Sequence, residues 1–193
     1  MIDMHAEKFE LNFGWHKERY IYNFTEFYKI SKYEQILECI YKISVNSDFQ
    51  NSLRLSIVYL WAEARQCYVF GAFQSCILTC GAVVERYLKL EYAKTRGDLV
   101  KEERLTLGKM IQKCRGVVDQ NLLELAKEIL EPRNSRAHAL LESSSPELAI
   151  LGGSERGIEI RSLRHYLIEP YRGEAKRVVE LTARILGRPC GAS

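Results

Sequence analysis

Two long stretches with helical periodicity meet at a single glycine, and this pair limits the possible folds more than any other feature. The first stretch runs from Ser52 to about Phe70 and the second from about Ala72 to Lys94, with Gly71 between them. In both, apolar residues recur every three or four positions, which predicts one buried face on each helix. Because the connection is so short, we expect the two helices to pack as an antiparallel hairpin.

Helical spacing also covers most of the remaining chain. It extends from residue 16 to about residue 44, where Ser31 is the expected N-cap of a second helix. A shorter helix is expected over 106–113, and Asp119 is the expected N-cap of the helix that follows. The last helix is expected from about residue 170 to residue 186. Together these patterns predict an all-α, up-and-down helical bundle.

One region departs from the helical pattern. Over residues 147–162, two short apolar runs flank Gly152-Gly153, which allows a short β-hairpin beside the bundle. The strongest helical signal begins near residue 51. We therefore expect a largely helical N-terminal extension over residues 1–50 and a bundle over residues 51–189.

Charge and cysteine usage exclude few functions. The net charge of +3 favours no large polyanion partner and leaves room for a small basic site. Residues 1–10 are polar, and no apolar run approaches the roughly 18 residues of a membrane span, so we expect a cytoplasmic protein with reduced thiols and no membrane partner. Cys76 and Cys80 lie one helical turn apart, but no Cys-x-x-Cys pair accompanies them, and neither a metal nor another cofactor is expected.

The run Arg133-Asn134-Ser135-Arg136-Ala137-His138 combines the groups that could act on a phosphate. Pro132 precedes it, so either a new helix begins there or an existing helix kinks. In the first case, Arg133 would lie in a first turn, where unpaired N–H groups favour anions. Asn134 and His138 are separated by four positions and can touch, whereas Arg133 and His138 are about 140° apart around the helix. An arginine side chain is long enough for both groups to face one cleft.

This trio suits cleavage of RNA without a metal. An imidazole with a pKa near neutral can accept or donate a proton, and an arginine can stabilise the charge that develops on a phosphate. RNA supplies its own nucleophile in the 2′-hydroxyl. The alternative is that Arg133, Asn134 and His138 are ordinary polar residues of a helix, which occur by chance at this spacing.

Two further residues are supporting candidates, Glu85 and Arg136. Glu85 lies on a helix face with small residues, so it is expected either to be partly buried and paired with Arg133 or to be solvated. Arg136 adds a second cation to the run. The later region around Arg172 and Lys176 is locally basic and could guide RNA, but interspersed glutamates favour an ordinary solvated face.

Several of these segments together resemble the HEPN superfamily. The resemblance rests on Ala62-Glu63-Ala64-Arg65-Gln66-Cys67-Tyr68, Gly71-Ala72-Phe73, Cys76, Gly81-Ala82-Val83-Val84-Glu85-Arg86-Tyr87-Leu88, Leu105-Thr106-Leu107-Gly108-Lys109-Met110-Ile111-Gln112 and Arg133-Asn134-x-x-x-His138. It covers about residues 52–141. It implies a helical bundle, commonly a homodimer in which the motifs of two subunits meet at one cleft.

The resemblance also implies an activity. Many catalytic members of the superfamily are metal-independent endoribonucleases in toxin–antitoxin, antiphage and RNA-processing systems. By carry-over, Arg133 and His138 would be the catalytic pair and Asn134 would support them, with two histidines from two subunits as base and acid. RNA and a protein such as an antitoxin are then the expected partners. The alternative is a non-catalytic module of the same fold that dimerises or binds a nucleotide or RNA.

Overall fold

The computed structural model describes residues 17–97, 105–139 and 160–188, with side chains described for 19–97, 105–137 and 171–188. The described residues contain seven α-helices and no strand, which confirms the predicted all-α bundle. No helix in these ranges combines the length and the apolar character that crossing a bilayer requires. The helices are α1 (Lys17–Ser31), α2 (Tyr33–Tyr41), α3 (Asp48–Val69), α4 (Phe73–Arg96), α5 (Leu107–Lys113), α6 (Gln120–Ala139) and α7 (Ile160–Leu186).

Helices α3 and α4 form the hairpin that the sequence predicted around Gly71. Gly71 has a φ of 76°, in the left-handed region that favours glycine. The N–H of Ala72 donates to the carbonyl of Cys67 at 2.8 Å, which closes the end of α3. At the other end, the Ser47 hydroxyl accepts from the N–H of Gln50 and caps α3, which begins at Asp48, four residues before its expected start.

The core is built around α4, which packs against α3, α5, α6 and α7. Helices α1 and α2 contribute to the same core cluster, so the N-terminal helices lie on the bundle in this structure. The domain boundary expected near residue 50 stays a prediction. The largest fully buried side chains are Trp61, Tyr68, Phe27 and Phe73.

Local rules were right at one helix start and wrong at another. Asp119 caps α6 as predicted, because its Oδ1 accepts from the N–H groups of Asn121 and Leu122 at 2.6 and 3.2 Å. Ser31, however, is the last residue of α1 and does not cap α2. The residue between the two helices is Lys32, which adopts a left-handed conformation with a φ of 48°. The predicted cap at Ser31 is therefore wrong.

Two prolines lie inside helices rather than at their starts. Helix α6 runs without interruption through Pro132, which rules out the reading in which a new helix begins there. Helix α7 begins at Ile160 and continues through Pro170, the residue at which it was expected to start. A proline inside a helix costs about 3 kcal/mol. Around Pro132, packing on both sides offsets this cost, since Ile129 is fully buried and Arg136 bonds to α7.

The predicted β-hairpin over 147–162 falls mostly outside the described residues. Its last positions, from Ile160 onward, are described and belong to α7, so they are helical and not a strand. The alternating pattern at Ile158 and Ile160 is too short to separate a strand from the first turn of a helix.

Candidate functional site

The candidate run lies in the last two turns of α6. Arg133 is an interior helical residue, so the unpaired N–H groups of a first turn are not available beside it. His138 follows Asn134 by one turn along the backbone of the same helix. The His138 side chain lies outside the described residues, and its contact with Asn134 stays a prediction.

Arg133 is anchored against α4 by the absence of a side chain at Gly81. A Cβ built on Gly81 would lie 2.5 Å from Cγ and 3.2 Å from Cβ of Arg133, so only glycine leaves room for the arginine stem. The guanidinium then turns to its neighbour and donates from Nη1 to Oδ1 of Asn134 at 3.1 Å. The side chain remains partly exposed.

Sequence reasoning singled out Arg133 but missed the role of Gly81. The signal was present, because an isolated glycine inside a helical pattern often marks a close approach of another element. The spacing of apolar residues could not show which residue would approach it.

Glu85 lies one turn after Gly81 on α4 and is partly buried. Burial raises the pKa of its carboxyl group above the usual value, although the positive charges of Arg133 and Arg86 and the N–H of Leu107 act against the rise. Among the described residues, no ion pair within 4.0 Å joins Glu85 to Arg133. Glu85 is therefore partly buried and close enough to Arg133 for their charges to interact, but the two side chains form no ion pair.

Arg136 is bound to the last helix. Its Nε and Nη2 donate to one carboxylate oxygen of Glu174 at 3.0 and 2.7 Å, and its guanidinium lies 4.2 Å from the ring centre of Tyr171. These contacts fasten α6 to α7. In this arrangement Arg136 is bonded to a carboxylate, whereas the only hydrogen-bond acceptor of the Arg133 guanidinium among the described residues is the neutral Asn134 amide.

A second arginine cluster joins α1, α3 and α7. The sequence marked Arg172 and Lys176 as locally basic and favoured a solvated face, whereas Arg172 is mostly buried and paired with Glu26. Nη2 of Arg172 donates to Oε2 of Glu26 and to Oδ1 of Asn23, both at 3.0 Å, and the Tyr68 hydroxyl donates to the same Glu26 oxygen at 2.6 Å. Lys176 adds an ion pair to Glu26 at 3.6 Å. Burial raises the pKa of Glu26, but the bonds from Tyr68 and Arg172 outweigh it, so the pKa is lowered.

The cysteines of the α3–α4 hairpin do not extend into a metal site. Cys76 and Cys80 are buried and interact with each other, and burial raises the pKa of the Cys67 thiol. Within residues 17–97, 105–139 and 160–188, no group of three or more histidine, cysteine or acidic side chains has a geometry that could hold a metal ion.

Comparison with known proteins adds no relative. No protein-family model matches the chain, and neither a curated protein nor a solved structure is significantly similar to it. The HEPN resemblance therefore rests on the sequence segments themselves. The class that the fold defines is an all-α helical bundle.

Proposed function

We propose that this chain is a metal-independent endoribonuclease of the HEPN type, in which Arg133 and His138 form the catalytic pair. The observation that carries the proposal is the state of Arg133. Its stem is fixed against Gly81, yet its guanidinium donates only to the neutral Asn134 amide among the described residues. A positioned arginine without a directly bonded carboxylate is suited to bind phosphate oxygens.

The chemistry needs no group beyond the side chains and the RNA. His138 accepts the proton of the 2′-hydroxyl, whose oxygen attacks the adjacent phosphorus. Arg133 stabilises the negative charge that develops on the phosphoryl oxygens. The bond from phosphorus to the 5′-oxygen breaks, and that oxygen takes up a proton. The products are a 2′,3′-cyclic phosphate and a 5′-hydroxyl.

The proposal includes a homodimer that acts in the cytoplasm. In such a dimer, His138 of the partner subunit would protonate the leaving 5′-oxygen, so that one imidazole acts as base and the other as acid. The resemblance to the HEPN superfamily supports this reading, because it implies a dimer in which the motifs of two subunits meet at one cleft. An antitoxin or another protein would be a partner of this assembly.

The test is incubation of the purified protein with mixed RNAs in the presence of EDTA. We expect cleavage that leaves 2′,3′-cyclic phosphate ends and does not occur where the 2′-hydroxyl is replaced by hydrogen. His138→Ala should lose at least about a hundredfold of the activity. His165→Ala, a change at a histidine of α7, is the matched control. Full cleavage by His138→Ala, with an unchanged helical circular-dichroism signal, would remove the mechanism.

A non-catalytic role has one observation in its favour. Arg136, a residue of the run at 133–138, forms an ion pair with Glu174 that holds α6 against α7. At least one residue of the run therefore has a structural role. In this second reading, Arg133 and His138 would fasten a dimer or bind a nucleotide or RNA. Size-exclusion chromatography and RNA-binding measurements on Arg133→Ala separate the two. A lost dimer with unchanged RNA affinity would favour the assembly role.

A further inference from the structure

A wide groove lies between α1, α2 and the end of α7, away from the run at 133–138. Its volume is about 1040 Å³, and no residue of that run lines it. Five cationic side chains face it against two carboxylates. The cations are Lys29, Lys32, Lys176, Arg184 and Arg188.

Three of the five cations are free to meet a ligand. Lys176 is paired with Glu26 at 3.6 Å, and Arg188 is paired with Asp119 at 3.2 Å. Lys29, Lys32 and Arg184 are exposed and have no ion pair with any residue in the described ranges. Clustered cations without internal partners create a positive potential that attracts an anion.

A buried hydroxyl with no partner lines the same groove. Ser31 is fully buried, and its Oγ forms no hydrogen bond within the part of the chain that the structure describes. A buried hydroxyl without a partner is destabilising, and such a group in a native structure calls for an explanation. A phosphate oxygen held by the flanking Lys29 and Lys32 would give the Ser31 hydroxyl an acceptor.

An exposed aromatic ring completes the groove. Tyr22 is 56% exposed, and the guanidinium of Arg172 lies 4.4 Å from its ring centre. Arg172 is held by its bonds to Glu26 and Asn23, so it packs on one face of the Tyr22 ring in a fixed position. Aromatic rings next to unpaired cations are the combination that binds single-stranded nucleic acid, in which bases stack on the rings and phosphates meet the cations. An acidic peptide would pair with the cations, but its carboxylates would not stack on the exposed ring.

We propose that this groove binds single-stranded nucleic acid. Lys29, Lys32 and Arg184 contact successive phosphates, Ser31 donates to one of them, and a base stacks on Tyr22. This binding does not depend on cleavage at Arg133 and His138, and the chemistry of the groove is the same for RNA and DNA strands.

The test is the binding of short fluorescent oligonucleotides, followed by anisotropy, to full-length protein that carries His138→Ala so that no strand is cut. The arms are single-stranded RNA, single-stranded DNA and a duplex. The groove variant is Lys29→Ala, Lys32→Asn and Arg184→Ala combined, with asparagine at position 32 because it tolerates the left-handed backbone. The matched control removes three exposed cations that do not line the groove, as Arg96→Ala, Lys109→Asn and Arg115→Ala.

We expect the groove variant to bind single strands at least about tenfold more weakly and the control less than about threefold. The slope of log affinity against log salt should decrease in magnitude by about 2 in the groove variant, since each single-strand phosphate contact contributes about 0.7. Tyr22→Leu should weaken binding at least about fivefold with little change of the slope. If only single-stranded RNA binds, the natural ligand is RNA. If single-stranded RNA and single-stranded DNA both bind, the groove does not distinguish the two sugars.

Equal affinities of the groove variant and its control for single strands would overturn the proposal. So would a parent protein that binds no single strand, or one that binds the duplex as tightly as single strands. An unaffected Tyr22→Leu would remove the stacked base. These outcomes are separable from the nuclease proposal. Cleavage of RNA by the His138-containing groove variant, with normal affinity, would refute the groove and leave the nuclease in place. Binding without any cleavage would do the reverse.

Discussion

Two arginine clusters in this bundle differ in the group that accepts a hydrogen bond from the guanidinium. Arg172 of α7 donates to Glu26 and Asn23, and the pKa of Glu26 is lowered although burial acts to raise it. Arg133 of α6 donates to the neutral Asn134 amide, and the pKa of the nearby Glu85 is raised by burial. In the first cluster the carboxylate is fully compensated, and in the second it is not.

The difference separates a structural cross-link from a candidate site. Removing one partner of a paired, mostly buried group leaves a charge without compensation, which is strongly destabilising. A cation that has no bonded carboxylate contributes less to folding and keeps its capacity for an external anion. We therefore expect damage to the first cluster to affect stability and damage to the second to affect activity.

The largest expected effect is on stability. Arg172→Ala should lower the free energy of unfolding by about 2–4 kcal/mol, because Glu26 and Asn23 lose their shared donor in a region where the ion pair is only 20% and 13% exposed. Arg133→Ala, the matched change in the other cluster, should cost less than about 1 kcal/mol while abolishing RNA cleavage. Urea denaturation of both variants measures the difference. Similar losses in the two variants would contradict the contrast.

Substitutions at two glycines test whether the position of Arg133 depends on its close approach to α4. Gly81→Ala places a methyl group 2.5 Å from Cγ of Arg133 and should displace the arginine, with a cost of about 1–3 kcal/mol and reduced cleavage. Gly173→Ala is the control, because a Cβ there meets nothing within 4 Å and a helical alanine is favoured by about 1 kcal/mol. Thermal unfolding followed by circular dichroism should show melting temperatures that shift in opposite directions. If the Gly81→Ala variant were as stable and active as the parent, the close approach would have no role.

The smallest expected effect is in the pH dependence of stability. The lowered pKa of Glu26 means that its contribution is present above the usual value of 4.5 and is lost as pH falls through the folded-state pKa. Glu26→Gln should therefore be less stable than the parent at neutral pH, and the gap should close in acid.

Glu85 should show the opposite sign. Its raised pKa means that folding favours the protonated form, so its contribution is present below the usual value of 4.5 and is lost as pH rises through the folded-state pKa. Glu85→Gln should be more stable than the parent at neutral pH and equal to it in acid. Urea unfolding of both variants between about pH 3 and pH 7 gives the comparison, and a common sign for the two would refute it.

Much of the architecture was predictable from local rules. Gly71 ended α3 and Asp119 capped α6 because each feature depends on a backbone conformation or a hydrogen bond within a few residues. The same rules failed at Ser31 and Pro170, and of the two alternatives at Pro132 the structure excludes a new helix and leaves the continuing helix. At Pro132, contacts made by more distant residues outweigh the local preference of proline for a helix start.

The sequence by itself determined the α3–α4 hairpin and the buried face of its helices, because apolar side chains that recur every three or four positions lie on one side of a helix. It also pointed to Arg133, Asn134 and His138 as one run. Only the tertiary structure decided that Arg133 lies over Gly81 and that Arg172 bonds to Glu26, 146 residues away in the chain. Spacing shows that a side chain turns inward but not which residue it meets, since that choice belongs to the packing of whole helices against one another.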